Sequence, residues 1–315
     1  MDSCLVGSEM CIRDSLMTSR VLLTGASGLI GSRCAPALQA AGFDVVVASH
    51  SGKAALPGVE TLQADLLDRQ QVSDLVRRAR ASHLLHLAWH NGAKDRWVSE
   101  RNLDWVAATF HLVREFASAG GKRAVGVGSC AEYDWSGDGV YTETSNIAPA
   151  TLYGAAKAAA GLALTRAEPA LGLSLAWARV FFCYGPGEPR GRLMGDLIHG
   201  LAAGQRVSCT DGLQVRDFMH TDDVAAALAA LVRSGIGGAV NIGTGAPVAV
   251  KTLIGEVAHQ IGRPDLVEFG AIPRPATDPP LIQADIGRLT NEVEFRPRIS
   301  LTDGVKATLA EDLGS

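Results

Sequence analysis

One short segment near the N-terminus constrains the fold more than any other. Three glycines spaced three residues apart, Gly25, Gly28 and Gly31, lie between an apolar run and a helical stretch that ends near Ala41. In a strand–turn–helix arrangement the first glycine permits a tight turn, the second lets a ligand approach the backbone, and the third lets the helix pack closely on the strand. The segment predicts a phosphate-binding turn at the start of a parallel sheet; a glycine-rich turn without a ligand is the alternative.

The chain then repeats this alternation of short apolar runs and helical stretches. The apolar runs predict six strands, near residues 21–23, 45–47, 61–63, 83–88, 124–127 and 175–181. Strands that alternate with helices indicate βαβ units and a parallel sheet covered on both faces. We therefore expect an α/β fold, a Rossmann-type doubly wound parallel sheet, whose ligand binds beyond the carboxyl ends of the strands.

Beyond residue 181 the alternation stops. Gly and Pro cluster in three short segments, at residues 185–189, 272–275 and 279–280. Such clusters are typical of turns and loops. We therefore predict a Rossmann domain over residues 17–181 and a smaller C-terminal α/β region over residues 182–315 that binds the substrate.

Residues 1–16 differ from the rest of the chain. They show neither alternation nor helical periodicity, and they lack the basic start and continuous apolar stretch of a signal peptide. The segment resembles translated sequencing-adapter read-through, which would make Met17 the genuine start. We expect this leader to be disordered and without function.

Composition excludes several classes of protein. The 29 Lys and Arg residues against 33 Asp and Glu give a net charge of −4, so no basic surface for nucleic acid or an anionic membrane is expected. No uncharged apolar run approaches the roughly 18 residues of a spanning helix. The six cysteines form no CxxC pair, which favours a reduced, cytoplasmic setting and no metal site.

A second motif places a phenol and an ammonium four residues apart, at Tyr153 and Lys157. On a helix, side chains at this spacing project from the same face. A nearby ammonium stabilises a phenolate and lowers the pKa of the phenol, which enables general acid–base chemistry. The pair also arises by chance in other chains, so its position between the fifth and sixth predicted strands carries the inference.

The glycine spacing and the Tyr153–Lys157 pair resemble the short-chain dehydrogenase/reductase superfamily. The resemblance implies that the turn, the ends of the third and fourth predicted strands and the Tyr–Lys pair hold a nicotinamide dinucleotide. The residues concerned are Gly25, Ser27, Gly28, Leu29, Ile30, Gly31, Asp65, Leu66, Leu87, Ala88, Trp89, Tyr153 and Lys157. Without the resemblance, Asp65 could equally cap the following helix.

The end of the second predicted strand bears on the choice of cofactor. NAD enzymes place an acid there for the ribose 2′-hydroxyl, whereas NADP enzymes need a donor for the 2′-phosphate. This chain has Ser49 and His50 at that position, with Lys53 and Arg33 as further candidate donors. The residues favour NADP over NAD; a solvated loop without a role is the alternative.

A third catalytic residue, a hydroxyl at the end of the fifth predicted strand, is implied by the same resemblance. Ser129 lies there, but gapless matching puts Cys130 on the family's Ser/Thr position, and a thiol is a weak donor. We predict Ser129 as the catalytic hydroxyl, with Cys130 as a neighbour in contact with the substrate. Asn102 matches a family asparagine that relays protons; a solvent-facing side chain is the alternative.

Three later runs resemble the extended branch of the superfamily, the NAD-dependent epimerase/dehydratase family. They are residues 179–187, 214–224 and 241–245. The family acts mostly on nucleotide-activated sugars, and the arginine that matches Arg216 reaches the substrate diphosphate, which suits a guanidinium. Arg192 and Arg288 could join this anion site, whereas Arg190 is expected at the surface. Phe182 stands where the family has an asparagine.

The resemblance implies hydride transfer at a sugar carbon, and three functions remain open. A nucleotide-sugar 4-keto reductase is favoured because the expected cofactor is NADP; a 4-epimerase that retains NAD and a non-catalytic dinucleotide-binding regulator are the alternatives. A reductase of a small ketone is a further rival. A dehydratase ranks lowest because Ala131 precedes Glu132 where dehydratases carry Asp-Glu. The family also suggests a homodimer, in which the apolar stripe from Leu103 to Val113 would serve as interface or core.

Overall fold

All six predicted strands are present between residues 20 and 180, and among the described residues an α-helix lies between each consecutive pair except the second and third. A further short strand, at residues 140–141, was not predicted. The fold is known from a computed structural model that describes residues 19–314, except residues 54–55, 91 and 93–94, so the predicted leader lies outside the described residues. In chain order the elements of this part are β1 (Arg20–Thr24), α1 (Gly31–Ala40), β2 (Asp44–Ser49), β3 (Glu60–Gln63), α2 (Arg69–Ala79), β4 (His83–His86), α3 (Arg101–Ser118), β5 (Arg123–Ser129), β6 (Val140–Tyr141), α4 (Leu152–Leu171) and β7 (Ser174–Val180).

Shorter elements follow. They are β8 (Phe182–Tyr184), α5 (Leu193–Ala202), β9 (Val207–Ser208), β10 (Val215–Arg216), β11 (Phe218–His220), α6 (Thr221–Arg233), β12 (Gly238–Ile242), β13 (Val248–Ala249), α7 (Val250–Ile261), β14 (Val267–Glu268), β15 (Leu281–Ala284), α8 (Gly287–Asn291) and α9 (Leu301–Leu313). No helix of the described residues has the length and apolar character needed to cross a bilayer.

A seven-stranded sheet in the order β12-β7-β5-β4-β1-β2-β3 forms the centre of the molecule. Every pairing within it is parallel. One apolar cluster joins the sheet to α1 and α6, and a second joins its other face to α2, α3 and α4. The predicted α/β, doubly wound architecture is confirmed: the chain reverses direction across the sheet beside β1, and the carboxyl ends of the strands share one edge.

The boundary predicted at residue 181 does not divide the chain cleanly. Residues 221–242 return to the central sheet, where β12 pairs with β7 and α6 packs on α1. In exchange, β6 leaves the sheet layer and pairs with β15. The apolar face of α6, which includes Val224, Leu228 and Val232, is buried in the cluster of the sheet layer. The predicted assignment of this segment to the C-terminal region is wrong.

Helix α3 turns a different face inward than its apolar stripe predicted. Its buried residues are Asn102, Thr109, Leu112, Val113 and Phe116. Leu103, the first residue of the predicted stripe, is 58% exposed, and only the end of the stripe reaches the core. The exposed part is available to a second copy of the chain, and the homodimer stays a prediction.

Candidate functional site

A cleft of about 1630 Å³ opens at the carboxyl ends of the central strands. The glycine turn, the ends of β2 and β3 and the segment after β4 line one half, and residues between β8 and β15 line the other. This is the edge at which α/β sheets bind their ligands. Among the described residues no group of His, Cys, Asp and Glu has the arrangement of a metal site.

Backbone geometry explains the glycines of the turn. Gly25 has φ +76°, and a Cβ there would lie 2.6 Å from the nitrogen of Ala88. A Cβ on Gly31 would lie 2.0 Å from the carbonyl oxygen of Gly25, so α1 can begin this close to β1 only with glycine. Residues 25–32 line the cleft, and α1 starts without a side-chain cap. The Ser32 and Arg33 N–H groups donate to the Gly28 and Ile30 carbonyls, and the positive dipole end of α1 suits the pyrophosphate of a dinucleotide.

The end of β2 lines the same half of the cleft with small and basic groups. Ser49, His50, Ser51 and Lys53 face it, and the only carboxylate within ion-pair distance of His50 among the described residues is Asp65, at 3.7 Å. Arg33, the fourth predicted donor, is not available here. Its guanidinium is bound to Glu311, at 2.6 Å, and Asp222, at 3.4 Å, and it does not line the cleft. The prediction of Arg33 as a ligand of the 2′-phosphate is therefore wrong.

Asp65, which was predicted to bind the cofactor, does not cap the following helix. Asp68 caps α2 by accepting from the N–H groups of Gln70 and Gln71, at 2.9 and 3.1 Å. Asp65 instead accepts from the Leu67 N–H at 2.9 Å and lines the cleft together with Leu66. The alternative reading of Asp65 as the helix cap is wrong.

The segment after β4 lines the cleft through Leu87, Ala88 and Trp89, and Asn102 holds it in place. The Asn102 side chain is fully buried; it accepts from Trp89 Nε1 at 2.9 Å and donates to the carbonyl oxygens of Arg96 and Ser99, at 2.9 and 2.8 Å. The alternative of a solvent-facing Asn102 is therefore wrong. One amide ties the start of the loop, beside the cofactor half, to its far end.

Tyr153 and Lys157 both line the cleft from α4, but they do not form the predicted direct pair. Lys157 Nζ donates to the Val127 carbonyl at 2.7 Å and lies 3.8 Å from the centroid of the Trp89 ring. Burial lowers the pKa of Lys157 to about 7 and raises the pKa of Tyr153 to about 12. The predicted lowering of the Tyr153 pKa is wrong for this state, because desolvation outweighs the ammonium, which is bound elsewhere.

The hydroxyl of Ser129 lies beside Tyr153. It accepts from the Ala131 N–H at 3.2 Å, and its interaction with the phenol lowers the Tyr153 pKa against the larger effect of burial. Cys130 also lines the cleft, but burial raises the pKa of its thiol to about 12, so it remains a neutral, weak donor. The arrangement brings Ser129, Tyr153 and Lys157 to one wall of the cleft.

Glu132 is buried away from the cleft in a fully satisfied network. Its carboxylate accepts from Arg179 Nε at 2.8 Å, from Trp177 Nε1 at 2.9 Å and from the Ser129 N–H at 2.8 Å. All of the carboxylate is shielded from solvent, so it serves the structure and offers no acid to a substrate.

The predicted substrate arginines separate. Arg216 lines the far half of the cleft, paired with Asp278, and its Cζ lies 5.5 Å from the centroid of the Phe182 ring. Phe182, which replaces the family asparagine, thus packs its ring against the Arg216 guanidinium. Arg192 also lines the cleft.

Arg288 does not join them. It is bound to Glu292 and to the carbonyls of Ala239 and Gly237, and it lies outside the cleft. The prediction of Arg288 as a substrate ligand is wrong. Glu292, one helical turn away, holds the Arg288 guanidinium against the first residues of β12.

Sequence reasoning missed several residues of the cleft. Arg96, Trp97, Glu188 and Asp278 all line it. They lie in loops without a periodic pattern or a motif, and only the proline that follows Asp278 and the glycine and prolines around Glu188 marked these segments as loops. No local signal in the sequence would have brought them together.

A profile of the NAD dependent epimerase/dehydratase family matches residues 21–243. The chain is 29% identical to the dTDP-glucose 4,6-dehydratase of Streptomyces griseus, over 93% of this chain and 94% of that protein. It is 31% identical to the 2′-dehydrokanamycin reductase of Streptomyces kanamyceticus, over 78% of this chain and 68% of that protein. The solved structure of the Thermus thermophilus UDP-glucose 4-epimerase in complex with NAD is similar with a TM-score of 0.83 and 26% identity, over 94% and 99% of the two chains.

Proposed function

Because this chain is an enzyme that belongs to the NAD dependent epimerase/dehydratase family, we propose that it reduces the 4-keto group of a nucleotide-activated sugar with NADPH. The observation that carries the proposal is the end of β2, where Ser49, His50, Ser51 and Lys53 face the cleft. A ribose 2′-phosphate needs donors and positive charge there, whereas a 2′-hydroxyl needs an acid.

The state of Tyr153 suits a proton donor to a ketone. With its pKa raised to about 12 by burial, the phenol keeps its proton at neutral pH. A ketone that accepts hydride becomes an alkoxide, a far stronger base than a phenolate, and takes this proton.

The position of Glu132 argues against a dehydratase. Elimination of water needs an acid and a base beside the reacting carbons, and the only side chain at residue 131 is the methyl group of an alanine. Glu132 itself is held by Arg179 and Trp177. The likeness to a dehydratase therefore extends to the fold and the family but not to these two positions.

The residues divide the chemistry as follows. A nicotinamide dinucleotide, when bound, supplies the hydride. Tyr153 gives its proton to the carbonyl oxygen, and Ser129 donates a hydrogen bond that orients the same oxygen. Lys157, which is bound to the Val127 carbonyl, returns a proton to the phenolate. Arg216 binds the diphosphate after exchanging Asp278 for phosphate oxygens.

The test is cofactor content and choice. We would purify the full chain, denature it, identify any released nicotinamide, and titrate NADPH and NADH against the emptied protein. A preference for NADPH of at least tenfold, or about 1.4 kcal/mol, is expected, together with loss of that preference in Ser49→Asp. Tightly held NAD that copurifies would instead identify an epimerase that recycles its hydride.

A further inference from the structure

Three charged side chains at the sugar end of the cleft are not used by the proposed reaction. Arg96 comes from the loop before α3, and Glu188 and Arg192 come from the loop between β8 and α5; all three line the cleft. We call them the Arg96–Glu188–Arg192 cluster.

The backbone that carries the cluster is fixed at several points. Asn102 binds the Arg96 carbonyl at 2.9 Å, and the Trp97 carbonyl accepts from the Tyr153 N–H at 3.2 Å. In the second loop, the Gly187 N–H donates to Asp312 at 2.8 Å and the Gly191 N–H to Asp196 at 2.9 Å. These contacts hold the loops on either side of Glu188 and Arg192, so the cluster is a built feature of the cleft wall.

The two arginines of the cluster have no anionic partner among the described residues. Within the part of the chain that the structure describes, neither Arg96 nor Arg192 forms an ion pair or donates a side-chain hydrogen bond. Burial lowers the pKa of Arg96, and the nearby positive charge of Arg192 lowers it further. Two partly desolvated guanidiniums that repel each other across a cleft are relieved by an anion bound between them.

Glu188 does not act as the anion between the two guanidiniums. Its side chain is only 8% exposed, and its Oε2 has no hydrogen-bond partner among the described residues. Burial raises the pKa of Glu188 to about 7, although both arginines act to lower it. A carboxyl group that holds its proton can share a hydrogen bond with a second carboxylate, whereas an ionised one would repel it.

The position of the cluster identifies which part of the substrate it faces. Arg96 Cζ lies 4.6 Å from the centroid of the Trp97 ring, and that ring meets the Tyr153 ring edge-on at 5.3 Å. The cluster is therefore one aromatic side chain away from the phenol that protonates the sugar at C4. The diphosphate on C1 lies across the ring from C4 and is expected at Arg216. C4 has two ring neighbours, C3 and C5, and of these only C5 carries an exocyclic carbon that can be a carboxylate.

We propose that the Arg96–Glu188–Arg192 cluster binds a carboxylate carried on C5 of the sugar, so that the substrate is a nucleotide-linked hexuronic acid or its 4-keto form. The two guanidiniums bind the carboxylate oxygens, and protonated Glu188 donates the third hydrogen bond. The proposal rests on the proposed function in one respect only, since it takes Tyr153 as the group beside C4.

The test compares ligands that differ only at C6. Binding of UDP-glucuronic acid and UDP-glucose to the full chain is measured by calorimetry, with NADP+ or NAD+ present, and repeated with the corresponding dTDP-sugars. We expect the acid to bind at least tenfold more tightly than the neutral sugar in one nucleotide series. Arg96→Met should remove most of this ratio while leaving the affinity for the neutral sugar within about twofold, and Arg192→Met should also remove most of the ratio.

Arg190 provides a matched control, because it lies in the same loop as Arg192 but is exposed and outside the cleft. Arg190→Met should keep the full ratio, and thermal melting confirms that each variant is folded. Equal affinity for acid and neutral sugar, no binding of the acid in either series, or a ratio that survives both cleft substitutions would each overturn the proposal. Since binding needs no turnover, a failure of the reductase activity is recognised separately.

Discussion

The two halves of the cleft are built in different ways. The half formed by residues 25–32, 47–53, 64–67 and 87–90 is shaped by backbone: a Cβ on Gly31 would lie 2.0 Å from a carbonyl oxygen, and no arginine of these described residues faces the ligand. The half formed by residues 96–97, 180–197, 207–218 and 272–278 is shaped by side chains, including three arginines and a buried carboxyl. Under the proposed function, the backbone half binds what all dinucleotides share, and the side-chain half distinguishes one sugar from another.

The difference also concerns how much the two halves can change. A contact between backbone atoms at van der Waals distance fails with any added atom. A side-chain cluster can be rebuilt residue by residue, since each member comes from a separate position on a loop. Substitutions in the two halves should therefore fail in different ways. Three experiments test this, and a fourth, at Glu132, concerns a site outside both halves.

The largest effect is expected where the two halves meet, at Tyr153. Tyr153→Phe removes the proton that the alkoxide needs, so kcat should fall by about 10²–10⁴-fold, while the affinity for NADPH stays within about threefold. Stopped-flow reduction of a keto-sugar and a fluorescence titration of NADPH give the two quantities. A residual kcat within tenfold of the wild type would assign proton transfer to another group.

A large loss of stability is expected from Glu132, which faces neither half. Glu132→Gln leaves Arg179 buried without its counter-charge, and the free energy of unfolding should fall by about 3–5 kcal/mol. Urea unfolding measures the loss. The double variant Glu132→Gln/Arg179→Met should recover much of it, and an unchanged midpoint in the single variant would contradict the buried ion pair.

The side-chain half should respond to pH through Glu188. Its folded pKa of about 7 lies above the ordinary value of 4.5, so its stabilising contribution is complete below pH 4.5 and is lost as the pH rises through 7. Arg96, Arg192, Asp196 and Cys183 are the titratable groups that face it. Glu188→Gln should match the wild type at pH 4.5 and exceed its free energy of unfolding by about 3 kcal/mol at pH 8.

Urea unfolding at the two pH values tests this change. Glu294→Gln, which removes an exposed carboxyl, is the control and should show no such gain. An equal effect of both substitutions at pH 8 would mean that Glu188 is ionised without cost in the folded state.

The smallest expected effect is a difference in stability between alanine substitutions at two glycines of the backbone half. Gly31→Ala forces the turn apart and should cost about 1–3 kcal/mol of stability together with most cofactor affinity. Gly28→Ala meets only one atom, at 3.4 Å, and should lose cofactor affinity with little change in Tm. Gly255→Ala, in an open position on α7, is the control and should raise Tm slightly. Equal losses of Tm in the first two variants would remove the distinction.

The contrast between the halves also explains what the sequence could predict. The sheet, the glycine turn and the positions of Tyr153 and Lys157 follow from local patterns, because a strand, a turn and a helix succeed one another within a few residues. The partners of Glu132 and Arg288, and the approach of Arg96 to Arg192, depend on segments far apart in the chain. The return of residues 221–242 to the sheet was missed for the same reason, since periodicity reports a buried face but not its partner.

The interleaving of the chain has a consequence for protein engineering. β12 completes the central sheet beside β7, and β6 crosses to the smaller sheet, where it pairs with β15. Each layer therefore contains a segment from the other part of the chain. A chimera with a relative cannot be made at one crossover near residue 181; it needs at least three junctions, so that residues 221–242 travel with the N-terminal part. Transplanting only the loops of the side-chain half of the cleft, between fixed anchors such as Asn102 and Asp312, is the graft that leaves this exchange of segments intact.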